Sequence, residues 1–220
     1  RQNEIDNKIA KISATTEYVA FGKSDLAIEA IIENLDIKKK TLKEFEQKLP
    51  DDCIIASNTS SIKIAKIATS LKKPERFLGI HFFNPVNRMP LVEIIPGPKT
   101  SKQTIADAVA IIKKTGKTPI VVGDCAGFLV NRILIPYINE AAYILEDTQE
   151  IFEIDEIIYN FGMPMGPFTL ADTVGIDVGY KVAEILENEY GERMKIAPLL
   201  SKMYNKEKLL GKKANAGFFK

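Results

Sequence analysis

The stretch that decides the fold is Gly79-Ile80-His81-Phe82-Phe83-Asn84-Pro85-Val86-Asn87-Arg88-Met89-Pro90-Leu91-Val92-Glu93-Ile94-Ile95. It reads as two apolar strands, over residues 76–83 and 91–95, around a loop from 84 to 90 that two prolines mark. A seven-residue connection is too short for a parallel crossover, which takes about a dozen or more, so the strands are expected to be antiparallel. Folding the loop about Asn87 sets His81 opposite Glu93. Directly opposed side chains have Cβ atoms roughly 5 Å apart, within reach of an imidazole–carboxylate hydrogen bond. A slip of one residue would send the two side chains to opposite faces. His81 is the one histidine of the chain. Its alternatives are a buried structural histidine satisfied by a neighbour and a general base oriented by Glu93.

Working outward, the segments alternate. A short helix is expected over residues 1–11, a short strand over 16–21 and a turn at 22–24. A buried strand over 25–32, an amphipathic helix over 37–49 and a buried strand over 53–56 follow. Residues 62–71 read as a helix with Ser60 or Ser61 as N-cap. Another helix, over 101–115, stops at Gly116, and a last strand covers 119–122. This is the alternation of an α/β doubly wound sheet. From Gly127 onward the pattern is helical only, over 128–146, 151–161, 168–173, 177–189 and 197–204. The fold class expected is α/β followed by all-α. The boundary is placed so that residues 1–123 form part of a Rossmann-type nucleotide-binding domain and residues 124–220 a helical domain.

Composition excludes several functions. Thirty basic residues against 29 acidic leave a net charge of +1, which is no footprint for nucleic acid or an anionic membrane. No apolar run reaches the ~20 residues of a membrane span. Cys53 and Cys125 read as small core residues in a reducing compartment. One histidine and two distant cysteines make no zinc spacing.

Ligands of open α/β sheets sit outside the carboxyl ends of the strands. Three such ends carry polar residues: Glu33 to Lys38, Ser57 to Ser61, and His81 to Asn84. Ser60 and Ser61 offer hydroxyls to a ligand or merely cap a helix. Glu33 and Lys38 are ligand contacts or solvated charges at a helix start. Asn131, near the start of the long helix, faces a cleft between domains or plain solvent. None of the 13 glycines satisfies G-x-G-x-x-G, the opening of a dinucleotide-binding unit. With no Met at the start and a helical pattern already under way, the expectation is that this unit precedes residue 1.

Five motifs, in order, resemble the L-3-hydroxyacyl-CoA dehydrogenases of fatty-acid β-oxidation. They are Ile28-Glu29-Ala30-Ile31-Ile32-Glu33-Asn34, Ala56-Ser57-Asn58-Thr59-Ser60-Ser61, Gly79-Ile80-His81-Phe82-Phe83-Asn84-Pro85, Gly127-Phe128-Leu129-Val130-Asn131-Arg132 and Met165-Gly166-Pro167-Phe168. The phrase over residues 163–175 is similar to the multifunctional enzymes, in which a hydratase domain precedes this unit. The resemblance implies NAD as cofactor, an acyl-CoA thioester as substrate, and His81 as catalytic base with Glu93 as its partner. It implies that Ser60 and Asn131 hold the substrate, and that Ile31, Ile32, Glu33, Lys38, Ser60 and Asn84 lie at the nicotinamide half of NAD. It also implies a dimer or a place in a larger β-oxidation complex, in the cytoplasm of a bacterium or in mitochondria or peroxisomes. The resemblance implies an L-3-hydroxyacyl-CoA dehydrogenase of β-oxidation, with a short-chain 3-hydroxybutyryl-CoA dehydrogenase or a non-catalytic crystallin-like relative as the alternatives. The tail from Gly211 to Phe219 resembles the family's G-K-K-T-G-x-G-F-Y ending and departs from it at Ala214, Asn215 and Phe219.

Overall fold

The computed structural model describes residues 2–219. Its first part is a five-stranded sheet in the order β1 (Leu26–Glu29), β2 (Ile54–Ser57), β3 (Phe77–Phe82), β4 (Leu91–Pro96) and β5 (Thr118–Val121). All neighbours are parallel except β3 and β4, which are antiparallel as the short loop requires. Helices α1 (Gln2–Ile9), α2 (Leu35–Glu46), α3 (Ile64–Ala68) and α4 (Lys102–Lys114) belong to this part. Arg1, where the first expected helix begins, lies outside the described residues.

Alternation along the strands sorts the core into two layers. Phe77 and Ile95 face α2 and α3, packing with Leu42, Phe45, Ile64 and Ile67. Leu78, Ile80, Val92 and Ile94 point the other way, onto Ala108 and Ile112 of α4. Each fully buried side chain of this size contributes about 1.5–3 kcal/mol. Because both faces are buried, the register is strongly specified. Gly79 is small for a steric reason: a Cβ there would lie 2.8 Å from Ile64 Cδ1.

Three expectations are corrected. Residues 16–21 do not form a strand; Tyr18–Lys23 is a 3₁₀ turn, in which the rings of Tyr18 and Phe21 pack on Phe45 at 5.8 and 5.2 Å. The strand expected over 25–32 pairs only from Leu26 to Glu29, and Ile31 and Ile32 stand 40% and 66% exposed. Ser60 and Ser61 do not cap α3. The Thr59 hydroxyl accepts from the Ile62 N–H at 3.0 Å, and the Asp124 carboxylate accepts from Ile64 and Ala65 at 2.7 Å each. A fixed carboxylate bonds two of the free N–H groups at a helix start better than one hydroxyl.

The second part is all-helical: α5 (Val130–Thr148), α6 (Ile151–Phe161), α7 (Pro167–Val174), α8 (Ile176–Tyr190) and α9 (Pro198–Asn205). Its core joins Ala142, Tyr180, Ala183, Ile196, Ala197 and Leu200. The tail returns to α7, where the buried Asp172 carboxylate accepts from Phe218 and Phe219 at 2.9 and 2.8 Å. Among the described residues no helix is long and apolar enough to cross a membrane.

Candidate active site

His81 and Glu93 are directly paired in the β3–β4 register. Nδ1 of His81 lies 2.8 Å from Oε2 of Glu93, with the histidine 4% exposed and the glutamate fully buried. The second carboxylate oxygen accepts from the backbone N–H groups of Leu129 and Val130, both at 3.0 Å. Those two N–H groups open α5, so the helix start holds a carboxylate of the sheet as helix N-termini hold anions. A carboxylate only accepts, so Nδ1 is the nitrogen that carries a proton toward it, and in the neutral ring the lone pair then sits on Nε2. The rings of Phe83 and Phe128 flank the imidazole at centroid distances of 4.6 and 5.7 Å.

One residue further along α5, the Asn131 amide donates to the Ser60 carbonyl at 3.0 Å. One turn of helix thus touches both the His81–Glu93 pair and the loop after β2. That loop is fixed from its other side by Glu33, whose Oε1 accepts from the Thr59 hydroxyl at 2.5 Å, from the Ser61 hydroxyl at 3.0 Å, and from the N–H groups of Ser60 and Ser61 at 3.0 and 3.2 Å. Lys38 is 1% exposed, and its ammonium meets Glu29 at 2.7 Å and both Glu33 and the Ile31 carbonyl at 3.3 Å. Its three donors are therefore engaged inside the protein. Ile32 and Asn84 are exposed at the margin and take no part in this network.

The sequence reading did not assign roles to Glu29, Asn58 and Asp124. Asn58 accepts from the Phe82 N–H at 3.0 Å, tying the β2 loop to the residue after His81. The only signal for Glu29 was a lone carboxylate inside the apolar run of residues 26–32, and Asp124 gave none, since its partners lie 60 and 59 positions away.

Comparison with known proteins now decides the class. The profile of the 3-hydroxyacyl-CoA dehydrogenase NAD-binding domain matches residues 1–125, and that of the C-terminal domain of the same enzymes matches residues 127–220. The chain belongs to the 3-hydroxyacyl-CoA dehydrogenase family. It is similar to (S)-3-hydroxybutyryl-CoA dehydrogenase PaaH1 from Ralstonia eutropha, with 40% identity and a TM-score of 0.93, over 100% of this chain and 78% of that one. FadB2 of M. tuberculosis matches over the same shares, at 33% identity and a TM-score of 0.95. The dehydrogenase part of multifunctional enzyme 1 from C. elegans is 33% identical with a TM-score of 0.65, over 100% of this chain and 50% of that one. Family membership makes this an NAD-dependent oxidoreductase type of fatty-acid β-oxidation.

The 3-hydroxyacyl-CoA dehydrogenase donor set fits its cofactor. At the carboxyl ends of parallel strands, Ile31 and Ile32 form an exposed apolar ledge beside Glu33, whose side chain is 34% exposed. An apolar ledge edged by a carboxylate suits a flat ring carrying a polar amide and a ribose hydroxyl.

Proposed function

We propose that the chain supplies the proton-abstracting side of an L-3-hydroxyacyl-CoA dehydrogenase, with His81 as base and Glu93 as its orienting partner. The observation that carries this is the buried 2.8 Å His81–Glu93 contact, which in the neutral imidazole puts the lone pair on Nε2. Oxidising a secondary alcohol breaks the O–H and C3–H bonds and forms C=O. Nε2 takes the hydroxyl proton, and Glu93 balances the imidazolium that results, as a triad carboxylate does for its histidine. Bound NAD would supply the carbon that receives the hydride. Ser60 and Asn131 hold the hydroxyl and thioester end of the substrate, while Ile31, Ile32, Glu33 and Asn84 border the nicotinamide side with Lys38 beneath it. The boundary proposed between the two functional parts lies between Gly123 and Asp124.

Two substrate readings stand side by side. The phrase at residues 163–175 resembles the multifunctional enzymes. Identity of 40% to PaaH1, against 33% to the C. elegans multifunctional enzyme, supports a short-chain thioester, and 3-hydroxybutyryl-CoA is the substrate we assign first. Since no G-x-G-x-x-G occurs in residues 1–220, we also propose that this polypeptide alone does not turn over. A second copy of the chain is proposed as partner, supported by Ile157 and Phe161, which α6 leaves 57% and 83% exposed one turn apart.

In the full chain, His81→Gln is expected to lower kcat about 10²–10⁴-fold, the range of general-base losses, with substrate affinity within about twofold. Near-normal turnover by that variant would sink the assignment.

A further inference from the structure

Glu29 ends β1 as a carboxylate only 5% exposed, and both of its oxygens are used. Oε1 accepts from the Lys38 ammonium and from the Ile31 N–H, both at 2.7 Å. Oε2 accepts from the Ser57 hydroxyl at 2.6 Å. Its backbone carbonyl accepts from the Asn58 N–H at 2.8 Å, and Asn58 in turn holds Phe82 beside His81. Lys38 is thus shared by two carboxylates, and the shorter contact is to Glu29.

That sharing has a geometric result. The ammonium is drawn inward, so Glu33 keeps one oxygen for the four donors of the 59–61 loop and leaves an edge toward solvent. The Ile31 backbone is held on both sides, its N–H donating to Glu29 and its carbonyl accepting from Lys38. The next residue, Ile32, extends the exposed ledge.

We infer that Glu29 is a positioning residue for the nicotinamide side of the site. It holds the Ile31–Ile32 ledge, Lys38 and the loop after β2 in one arrangement, and it touches neither cofactor nor substrate. This inference rests on the cofactor reading given above. Neutralising Glu29 leaves Lys38 balanced by Glu33 alone, which pulls Glu33 off the 59–61 loop and frees the Ile31 backbone. The cost falls on cofactor binding and alignment, and proton abstraction at His81 keeps its own pH dependence.

The experiment uses the full chain with Glu29→Gln, Glu29→Asp and the double variant Glu29→Gln/Lys38→Met. NADH affinity is read by fluorescence titration, alongside KM for 3-hydroxybutyryl-CoA, the pH profile of kcat, and melting temperature. For Glu29→Gln the expected result is NADH affinity weaker by about tenfold or more, with KM for the thioester within about twofold and an unshifted pH profile. Glu29→Asp keeps the charge and should fall between wild type and Glu29→Gln. If Glu29→Gln does not fold, the double variant, which removes charge from both partners, is read by the same criterion. Ile32→Asp on the exposed ledge serves as the control, because it attacks the cofactor surface directly. NADH affinity lost in Ile32→Asp but within twofold of wild type in the Glu29 variants, with only the melting temperature lowered, overturns the role of Glu29. Unchanged NADH affinity in Ile32→Asp and in the Glu29 variants overturns the cofactor reading itself.

Discussion

Glu93 of the sheet and Val130 of the helical part are hydrogen-bonded at 3.0 Å, carboxylate oxygen to backbone N–H, so the partner of the His81 ring is also a joint between the two halves of the molecule. Three donors converge on this one carboxylate: the His81 ring and the N–H groups of Leu129 and Val130. A glutamine offers one acceptor and, in place of the second, an amide NH2 that can only donate. Glu93→Gln is therefore expected to cut kcat by about 10²–10⁴-fold, as tautomer-misplacing changes do. It should also lower the melting temperature, because a buried donor loses its acceptor. Steady-state kinetics and a thermal melt on the same preparation check both. A kcat within threefold of wild type would show that Glu93 is structural only.

How much of this was legible in sequence is best seen at that joint. The His81–Glu93 register followed from the loop of seven residues and the two-sided burial of the strands, because turn length and alternation are local properties. The three corrected readings share another origin. Residues 16–21 have strand-like composition, yet Tyr18 and Phe21 gain more by packing on Phe45, a contact set by where α2 lies. Ser60 and Ser61 are good caps by residue type, but the loop they occupy is spoken for by Glu33. Ile31 and Ile32 look like core by hydropathy and stand exposed. Residue type gives no account of partners 28 or 60 positions distant, and the site is held together by such partners.

Asp124 makes the cap of α3 a long-range feature. Its two oxygens take the N–H groups of Ile64 and Ala65 at 2.7 Å each, from the segment that leads from β5 toward the helical part. Removing an N-cap acceptor costs about 0.5–2 kcal/mol. Asp124→Ala should fall in the upper half of that range because both oxygens are used, while Ser61→Ala should affect α3 less. Urea unfolding of the two variants tests the order, and a larger loss for Ser61→Ala would contradict the assignment of the cap.

The proposed second copy has a direct test at Phe161. Ile157 and Phe161 sit one turn apart on α6, so a two-fold pairing sets the same apolar flank against itself. Phe161→Glu places a like charge on both sides of that contact. Sedimentation velocity is expected to show a dimer for wild type and a monomer for the variant. A wild-type monomer at all concentrations, or a variant dimer as tight as wild type, removes this flank as the contact.

Lys63, beside the start of α3, and Glu189, at the end of α8, form an ion pair that crosses between the halves, with Lys66 3.7 Å from the other carboxylate oxygen. The hydrogen bond to Lys63 holds Glu189 below its ordinary value of 4.5, and the hydrogen bond to Glu189 raises Lys63 above 10.5. A depressed carboxylate contributes stability that is full above its unfolded value and is lost as pH falls through the folded one. A raised ammonium contributes stability that is full below its unfolded value and is lost as pH rises through the folded one. The pair's contribution is therefore flat across neutral pH and fades at both extremes. Glu189→Gln should lower the melting temperature by a constant amount between about pH 6 and 9, and the gap to wild type should close as the acid side is approached. Added salt should narrow the gap at neutral pH, since an exposed pair is screened. A gap that widens below pH 4.5 would mean that Glu189 is raised in the folded protein and that the pair does not act as described.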